Sequence, residues 1–369
     1  MKEPWYSIDN IDQIDSPALV IYLDRVRKNI ETLLGMIDDI SRLRPHVKTH
    51  KSPEITKMLL KAGITKFKCA TIAEAEMLGQ CEAPDVLLAY QPVGPKIDRF
   101  IELIDTYPET KYACLVDNER AAIHIAAKAQ LEHITIPVFI DLNVGMNRTG
   151  ILPGDDAINL VHTLNSINGI RVMGLHAYDG QLHDADFSLR TDRCQDVFRA
   201  AEYTFDTLCN EGMNLTLVAG GSPTFPIHAA RKKVECSPGT FIYWDKGYQE
   251  ICPEQDFLPA ALVISRVISD LGDTRFCLDL GHKSIAPENP LERRVHFLNA
   301  TELKFLGQSE EHLIVETPKN QKLAIAEVLY GLPIHICPTV ALYDHVLVVE
   351  DSKMVDSWKV VARDRKLTI

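Results

Sequence analysis

The sequence predicts a (β/α)₈ TIM barrel followed by a C-terminal, mostly β domain. Between residues 43 and 236, eight short apolar runs alternate with amphipathic stretches, as parallel strands and their connecting helices do. After about residue 250, helical periodicity weakens and short β-like runs joined by turns take over. A doubly wound sheet is the main alternative, but its first strand should lead into Gly-x-Gly-x-x-Gly, whereas this one ends in Lys48.

Each element follows from its local pattern. Residues 17–23 are apolar and predict a strand, and Asp24 is expected to cap a helix with one apolar face. We place the barrel domain at residues 16–250 and the β domain at 251–369, which residues 1–15 are expected to join. The predicted barrel strands are 43–48, 66–70, 86–90, 112–116, 137–142, 171–176, 215–219 and 233–236, and the helices include 72–79, 96–105, 119–130, 155–166 and 190–211.

Composition excludes several classes of protein. The chain has 369 residues and a formal net charge of −12, which argues against a nucleic-acid binder because phosphate contacts need clustered cations. No apolar run reaches the roughly 18 residues of a membrane span, and the first residues lack the pattern of a signal peptide. The nine cysteines form no Cys-x-x-Cys pair. We therefore expect a soluble cytoplasmic protein with free thiols, which binds neither nucleic acid nor membrane.

The stretch from Arg44 to Lys51 contains the first candidate for chemistry. Lys48 stands at the end of the first predicted barrel strand, where the active groups of such barrels are found. A lysine there can form a Schiff base with a carbonyl cofactor if burial or neighbouring cations lower its pKa. A basic surface loop is the alternative interpretation of this stretch.

The fifth and sixth strands end in further polar residues. Arg148 lies between two glycines after the fifth strand, and its planar guanidinium can hold a phenolate or a carboxylate. The sixth strand leads into His176, Tyr178, Asp179 and His183, a dense group of acid–base side chains. We expect Tyr178 to contact a cofactor and His183 to transfer protons.

The seventh and eighth strands lead into two turns suited to a phosphate. Small residues in such turns expose backbone N–H groups and hydroxyls, and barrels of this kind often bind phosphate after these two strands. A phosphate at this end and an aldehyde at Lys48 match pyridoxal 5′-phosphate. The predicted phosphate-binding residues are Gly220, Gly221, Ser222 and Thr224 in the first turn, and Gly239 and Thr240 in the second.

The C-terminal domain contains His335-Ile336-Cys337. If this segment is a strand, His335 and Cys337 point to the same face and can ligate one ion. A histidine and a thiolate favour zinc, and two protein ligands leave positions open for water or substrate. The alternative is a buried cysteine beside a surface histidine.

Together these motifs resemble the fold-type III, alanine racemase-like pyridoxal phosphate enzymes, and most closely the D-serine dehydratase and D-threonine aldolase branch. The resemblance extends over nearly the whole chain. It is carried by Arg44–Lys51, Ala70–Glu76, Asp85–Gly94, Gly145–Gly150, Gly220–Thr224, Ser237–Thr240, Asp279–Lys283 and His335–Pro338.

The resemblance implies roles for individual residues. Lys48, rather than Lys51, would bind the cofactor, Arg148 would lie near its phenolic oxygen, and the two turns would hold its phosphate. His335 and Cys337 match the metal pair of the family, in which dehydratases carry His-x-Cys with zinc and aldolases usually carry His-x-Asp with a manganese-like ion. The resemblance also implies a head-to-tail homodimer.

The predicted function is therefore a lyase that acts on D-3-hydroxy amino acids with pyridoxal phosphate and a divalent metal, zinc being favoured over Mn²⁺ or Mg²⁺. If the chain is a dehydratase, Lys48 removes the α-proton, the metal activates the β-hydroxyl, and a 2-oxo acid and ammonia form. The alternative is a D-threonine aldolase, in which His183 would deprotonate the hydroxyl. An amino-acid racemase and a non-catalytic cofactor carrier are further alternatives.

Overall fold

The computed structural model describes residues 4–369, and its contacts divide the chain into two compact units. The barrel unit comprises Leu34–Lys48, Pro53–Gly239 and Asp364–Ile369. The β unit comprises the residues up to Leu33, Thr49–Ser52 and Thr240–Arg363. These limits differ from the predicted domain limits of 16–250 and 251–369. Within the described residues, no helix is both long and apolar enough to cross a membrane.

The barrel unit contains a seven-stranded parallel sheet in which the strands follow one another in chain order. Its interior is packed with apolar side chains such as Leu87, Leu115 and Phe139, which explains why the strands read as apolar runs. The strands are β2 (Lys66–Cys69), β3 (Asp85–Leu88), β4 (Lys111–Val116), β5 (Ile136–Leu142), β6 (Ile170–Ala177), β7 (Thr216–Ala219) and β8 (Val234–Cys236).

The predicted first barrel strand, residues 43–48, is reduced to two isolated parallel bridges. Leu43 pairs with Cys236 of β8, and His46 pairs with Lys68 of β2, so this segment occupies the eighth position of the barrel. Pro45 lacks an N–H group and cannot donate to a ladder, which limits regular pairing here. The predicted fold class is confirmed, with a shorter first strand than expected.

The helices of the barrel unit lie close to the predicted amphipathic stretches. Ser, Thr, Asn or Asp side chains cap several of them, as at Thr71 before α3 and Asn118 before α5. These helices are α2 (Pro53–Lys61), α3 (Ile72–Gln80), α4 (Pro95–Thr106), α5 (Glu119–Leu131), α6 (Asp155–Asn165), α7 (Phe187–Asn210) and α8 (Phe225–Ala229). Helix α1 (Leu23–Gly35) precedes them, with Asp24 in its first turn rather than at its N-cap.

The β unit is organised around a nine-stranded mixed sheet. Strand β1 (Ala18–Tyr22) lies in the middle of it, parallel to β15 and antiparallel to β9. The partners of β1 are about 240 residues or more away, and a local pattern does not reveal such pairing. The other strands are β9 (Ala261–Asp270), β10 (Arg275–Leu278), β11 (Val295–Phe297), β12 (Lys304–Gln308), β13 (Leu313–Glu316), β14 (Val328–Pro333), β15 (His345–Glu350) and β16 (Lys353–Lys359).

Residues near the N-terminus pack on this sheet, as expected. Ile8 and Ile14 are buried against Val20, Leu262 and their neighbours, whereas residues 1–3 lie outside the described residues. The unit also contains the short helices α9 (Lys246–Ile251) and α10 (Ile336–Val340). His335 is therefore the residue before a helix and Cys337 lies in its first turn, so the condition of the same-face argument, that this segment is a strand, does not hold.

Candidate active site

The candidate site in the barrel unit is centred on the ring of Tyr178, which follows β6. Three cationic side chains surround this ring: Arg148 Cζ is 5.2 Å from its centroid, Lys68 Nζ 5.7 Å and Lys48 Nζ 5.8 Å. Lys48 itself is half-buried, and its backbone N–H donates to Nδ1 of His46 at 3.2 Å. The structure thus brings Lys48, Arg148 and Tyr178 together, as the sequence predicted.

The two predicted phosphate-binding turns lie side by side. The N–H of Gly239 donates to Oγ of Ser222 at 3.3 Å, which connects the turn after β8 to the turn after β7. Gly220 has a φ of +79°, in the left-handed region that favours glycine, and the N–H of Gly221 donates to Oγ1 of Thr224 at 3.3 Å. Tyr178 packs against this turn, because a Cβ on Gly221 would lie 3.2 Å from its ring.

A buried network holds the first turn in place. Asp179 accepts hydrogen bonds from Oγ1 of Thr224 and from Nε2 of His228, both at 2.8 Å. Burial alone would raise the pKa of Asp179, but the charge of His228 and these hydrogen bonds outweigh it and hold the pKa below its usual value. The sequence drew attention to Asp179 but gave no hint of its partners.

Asp179, Cys194 and His228 are close enough to hold a metal ion, the one such group found among the described residues. All three are buried, and the short Asp179–His228 contact is already explained by a hydrogen bond. Burial also raises the pKa of the Cys194 thiol to about 12, which opposes the thiolate form that a metal needs. We interpret this group as part of the network that supports the turn.

His183 and Thr240, two further predicted site residues, differ in their exposure and in the unit to which they belong. His183 is exposed in the loop before α7. Thr240 is buried at the start of a short 3-10 helix in the β unit. Lys68 and Asp141 were not among the predicted site residues, and His176 was noted only as part of the group of acid–base side chains after the sixth strand.

The residues of the barrel unit fit pyridoxal phosphate. Oγ of Ser237 is buried beside the second turn and has no hydrogen-bond partner among the described residues, as expected of a hydroxyl that awaits a ligand. The turns offer further hydroxyl and N–H groups, and Lys48 offers an amine. Arg148 offers a cation for an oxygen anion on the cofactor ring.

The candidate metal pair lies in the β unit. His335 and Cys337 are hydrogen-bonded to each other, and Nδ1 of His335 contacts Oε1 of Glu288 at 2.6 Å. Burial lowers the pKa of His335, but Cys337, Asp245 and Glu288 together raise it to about 9. Histidines that ligate metals usually donate their second nitrogen to a carboxylate, so Glu288 orients His335 in the way that such a ligand requires.

Local contacts explain how a helix can present this pair. Asp245 is the cap of α9, and its other oxygen accepts from the N–H of Ile336 at 2.9 Å, which anchors the start of α10. The Sγ atom of Cys337 lies 3.1 Å from Oγ1 of Thr49 and 3.6 Å from Oγ1 of Thr240. Thr49 directly follows Lys48 in the chain.

Comparison with known proteins places the chain among the fold-type III pyridoxal phosphate enzymes. A model of the family described as "Alanine racemase, N-terminal domain" matches residues 21–246, and a model of a serine dehydratase domain matches residues 260–349. The chain belongs to the alanine racemase N-terminal domain family and combines this domain with a D-serine dehydratase-like domain. The predicted family is confirmed.

Several of the similar proteins that match over nearly the full length carry the names of lyases. D-threonine aldolase from Arthrobacter sp. is 27% identical over 96% of this chain and 94% of its own. D-threo-3-hydroxyaspartate dehydratase from Delftia sp. (strain HT23) is 24% identical over 95% of this chain and 98% of its own, and a variant of it has been solved in a metal-free form. The structure of D-threonine aldolase from Filomicrobium marinum superposes with a TM-score of 0.89, at 25% identity, over 98% of this chain and 99% of its own.

Proposed function

We propose that this chain is a lyase that uses pyridoxal phosphate and a divalent metal to act on D-3-hydroxy amino acids, and that it is a dehydratase of the D-serine or D-threonine type. The observation that carries the proposal is the convergence of Lys48, Arg148 and two hydroxyl-bearing turns around Tyr178. The similarity to both an aldolase and a dehydratase supports the class of reaction and leaves the bond that breaks to experiment.

In this proposal each residue has a defined task. Nζ of Lys48 would hold the cofactor at its carbonyl carbon, and as a free amine it would accept the α-proton of the substrate. Arg148 and the turns at Gly220–Thr224 and Ser237–Gly239 fix the ring and its phosphate. When bound, pyridoxal phosphate supplies an electron sink for the charge left at Cα, and a metal held by His335 and Cys337 supplies Lewis acidity for the β-hydroxyl.

The choice of a dehydratase rests on Cys337, because the dehydratase branch carries cysteine at the position where aldolases usually carry aspartate. The aldolase is the second candidate, and the similarity to D-threonine aldolases over nearly the whole chain favours it. For the aldolase, the exposed His183 is a candidate base for the substrate hydroxyl. We further propose that the protein is a cytoplasmic homodimer and that its metal is zinc.

The deciding experiment is a product assay. Zinc-loaded protein is incubated with D-threonine and assayed for 2-oxobutanoate and for glycine, with D-serine and pyruvate in parallel. We expect an oxo acid without glycine. Glycine with acetaldehyde would identify an aldolase, and the argument from Cys337 would fail.

Metal removal tests the second part of the proposal. Chelation is expected to abolish turnover while the visible absorbance of the bound cofactor remains, and added zinc should restore the activity. Full activity in the chelated protein would contradict a role for His335 and Cys337 in catalysis.

A further inference from the structure

Lys68 occupies an unusual position for a lysine. It lies in β2 between two buried residues, Phe67 and Cys69, and only 2% of it is exposed. A buried lysine is normally paired with a carboxylate. Here Nζ instead contacts a histidine nitrogen, Nε2 of His176, at 3.5 Å, and it lies 5.7 Å from the Tyr178 ring centroid.

His176 connects Lys68 to a buried carboxylate. Nδ1 of His176 is 2.8 Å from Oδ1 of Asp141, and the other oxygen of Asp141 accepts from Oγ1 of Thr149 at 2.7 Å. Burial lowers the pKa of His176, which favours the neutral ring. A neutral ring that donates from Nδ1 to Asp141 has a lone pair on Nε2, so that nitrogen can accept a hydrogen bond from Nζ of Lys68.

The charges around Lys68 set the range in which it titrates. Burial and the charge of Lys48 lower its pKa, Asp179 and Asp141 oppose them, Arg44 adds to the lowering, and the result is about 7. Arg44 is itself held by Glu235 at 2.8 Å and by Asp85. Arg148, the third cation at the Tyr178 ring, faces the same region. Lys68 is thus an amine that can be neutral near physiological pH.

We propose that Lys68 is the second proton-transfer group of this site: it accepts at Nζ the proton that Lys48 has taken from the substrate α-carbon. This inference rests on the proposed function. One proton moves between two amines. An N–H bond of Lys48 breaks, and the lone pair of Lys68 forms a new N–H bond with the same proton. Lys48 is thereby returned to the neutral form that can bind a carbonyl carbon, while His176 and Asp141 hold Lys68 in position.

Two variants separate a proton acceptor from a simple positive charge. Lys68→Met removes the amine at similar volume, whereas Lys68→Arg keeps a cation that does not deprotonate in proteins. We expect both variants to lower kcat by about 10²–10⁴-fold. In the parent protein, protonation of the neutral base should lower the activity below about pH 7, and in both variants this decrease should be absent. Lys111→Met, at the exposed start of the nearby strand β4, is the matched control and should leave kcat and its pH profile unchanged.

Each outcome decides between the alternatives. Restoration of kcat by Lys68→Arg would show that only the charge matters and would overturn the inference, as would an unchanged kcat and pH profile in Lys68→Met. If the parent protein forms no product from any D-3-hydroxy amino acid, the proposed function fails first and this inference fails with it. The absorbance of bound cofactor shows whether each variant still assembles the site.

A measurement of stability tests the titration without turnover. An unfolded lysine titrates near pH 10.4, so the parent protein binds fewer protons in the folded state between about pH 7 and 10.4. The penalty for burying Lys68 is therefore complete below about pH 7 and disappears as the pH rises to about 10.4. In urea unfolding, Lys68→Met should be more stable than the parent protein at pH 7, and the gain should shrink at pH 10. A gain that does not depend on pH would contradict the inference.

Discussion

At the scale of single residues, Asp179 links the end of β6 to the turn after β7. It is almost fully buried, and it accepts hydrogen bonds from Thr224 and His228. In Asp179→Ala both donors lose their acceptor inside the protein, where water does not replace it. We expect a loss of roughly 2–4 kcal/mol in the free energy of unfolding and faster loss of cofactor on dialysis.

The stabilising effect of Asp179 should depend on pH in a defined direction. The pKa of Asp179 is held below that of an unfolded aspartate, so its contribution to stability is present above about pH 4 and is lost as the pH falls through the folded value. Urea unfolding at pH 7 and at pH 3.5 or below should therefore show a smaller difference between parent and variant in acid. An equal difference at both pH values would assign the effect to packing alone.

Glu288 permits a residue-scale test of the metal pair. Its contact with Nδ1 of His335 should fix the orientation of that ring, and such supporting carboxylates are typically worth about 10–100-fold in metal affinity. Glu288→Gln is expected to weaken zinc binding by that factor in a competition with a chelator, while cofactor absorbance stays unchanged. Glu292→Gln, an exposed carboxylate nearby in the chain, is the control. Equal zinc affinity in both variants would show that Glu288 does not support zinc binding.

At the scale of elements, two glycines with positive φ allow the turn after β7 to be tested. Gly220 has φ +79° and Gly212, after α7, has φ +94°, so alanine is strained at both positions, by roughly 1–2 kcal/mol. At Gly212 the new Cβ meets open space, but at Gly220 it would lie 2.7 Å from Cδ2 of His228. Gly220→Ala should therefore destabilise the protein more than Gly212→Ala in urea unfolding. It should also release cofactor, and equal losses would show that strain alone matters.

The elements of the barrel unit were largely predictable because each strand and helix carries its own apolar pattern. Strands β2 to β8 and helices α3 to α7 lie within a few residues of the predicted ranges. Residues 43–48 differ, because Pro45 restricts backbone hydrogen bonding and the segment is held by single bridges on either side. The pair at His335 and Cys337 differs because Asp245 starts a helix there, and this contact spans some 90 residues of sequence.

At the scale of the whole molecule, the limits of prediction are those of long-range contact. The sequence of residues 18–22 does not indicate that β1 pairs with β9 and β15, because it is an apolar run that suits a strand of either unit. Lys68 is a comparable case at the site. It lies two residues after Lys66, so an alternating strand would place both lysines on the outward face. Its burial becomes visible only when β6 places His176 beside it. The motif residues Lys48, Arg148 and Tyr178 were predictable because strand ends meet at one rim.

The last residues of the sequence belong to the barrel unit and donate hydrogen bonds to a buried carboxylate. The carboxylate of Glu76, on α3, is fully buried and accepts hydrogen bonds from the N–H groups of Thr368 and Ile369, at 3.0 and 3.2 Å, and from the hydroxyl of Thr368. A chain that ends at Leu367 leaves this carboxylate without those donors. Because an uncompensated buried charge typically costs about 3–5 kcal/mol, we expect a loss of this size in urea unfolding.

A double-mutant cycle separates the charge from the packing of Ile369, which is also buried. Glu76→Gln removes the negative charge that truncation leaves without hydrogen-bond donors. Truncation should therefore lower the free energy of unfolding less in the Glu76→Gln background than in the parent sequence. The cofactor absorbance of the truncated protein should persist wherever the protein is folded, since none of these residues contacts the Tyr178 ring. Equal costs in the two backgrounds would show that residues 368–369 stabilise the barrel unit by apolar burial alone.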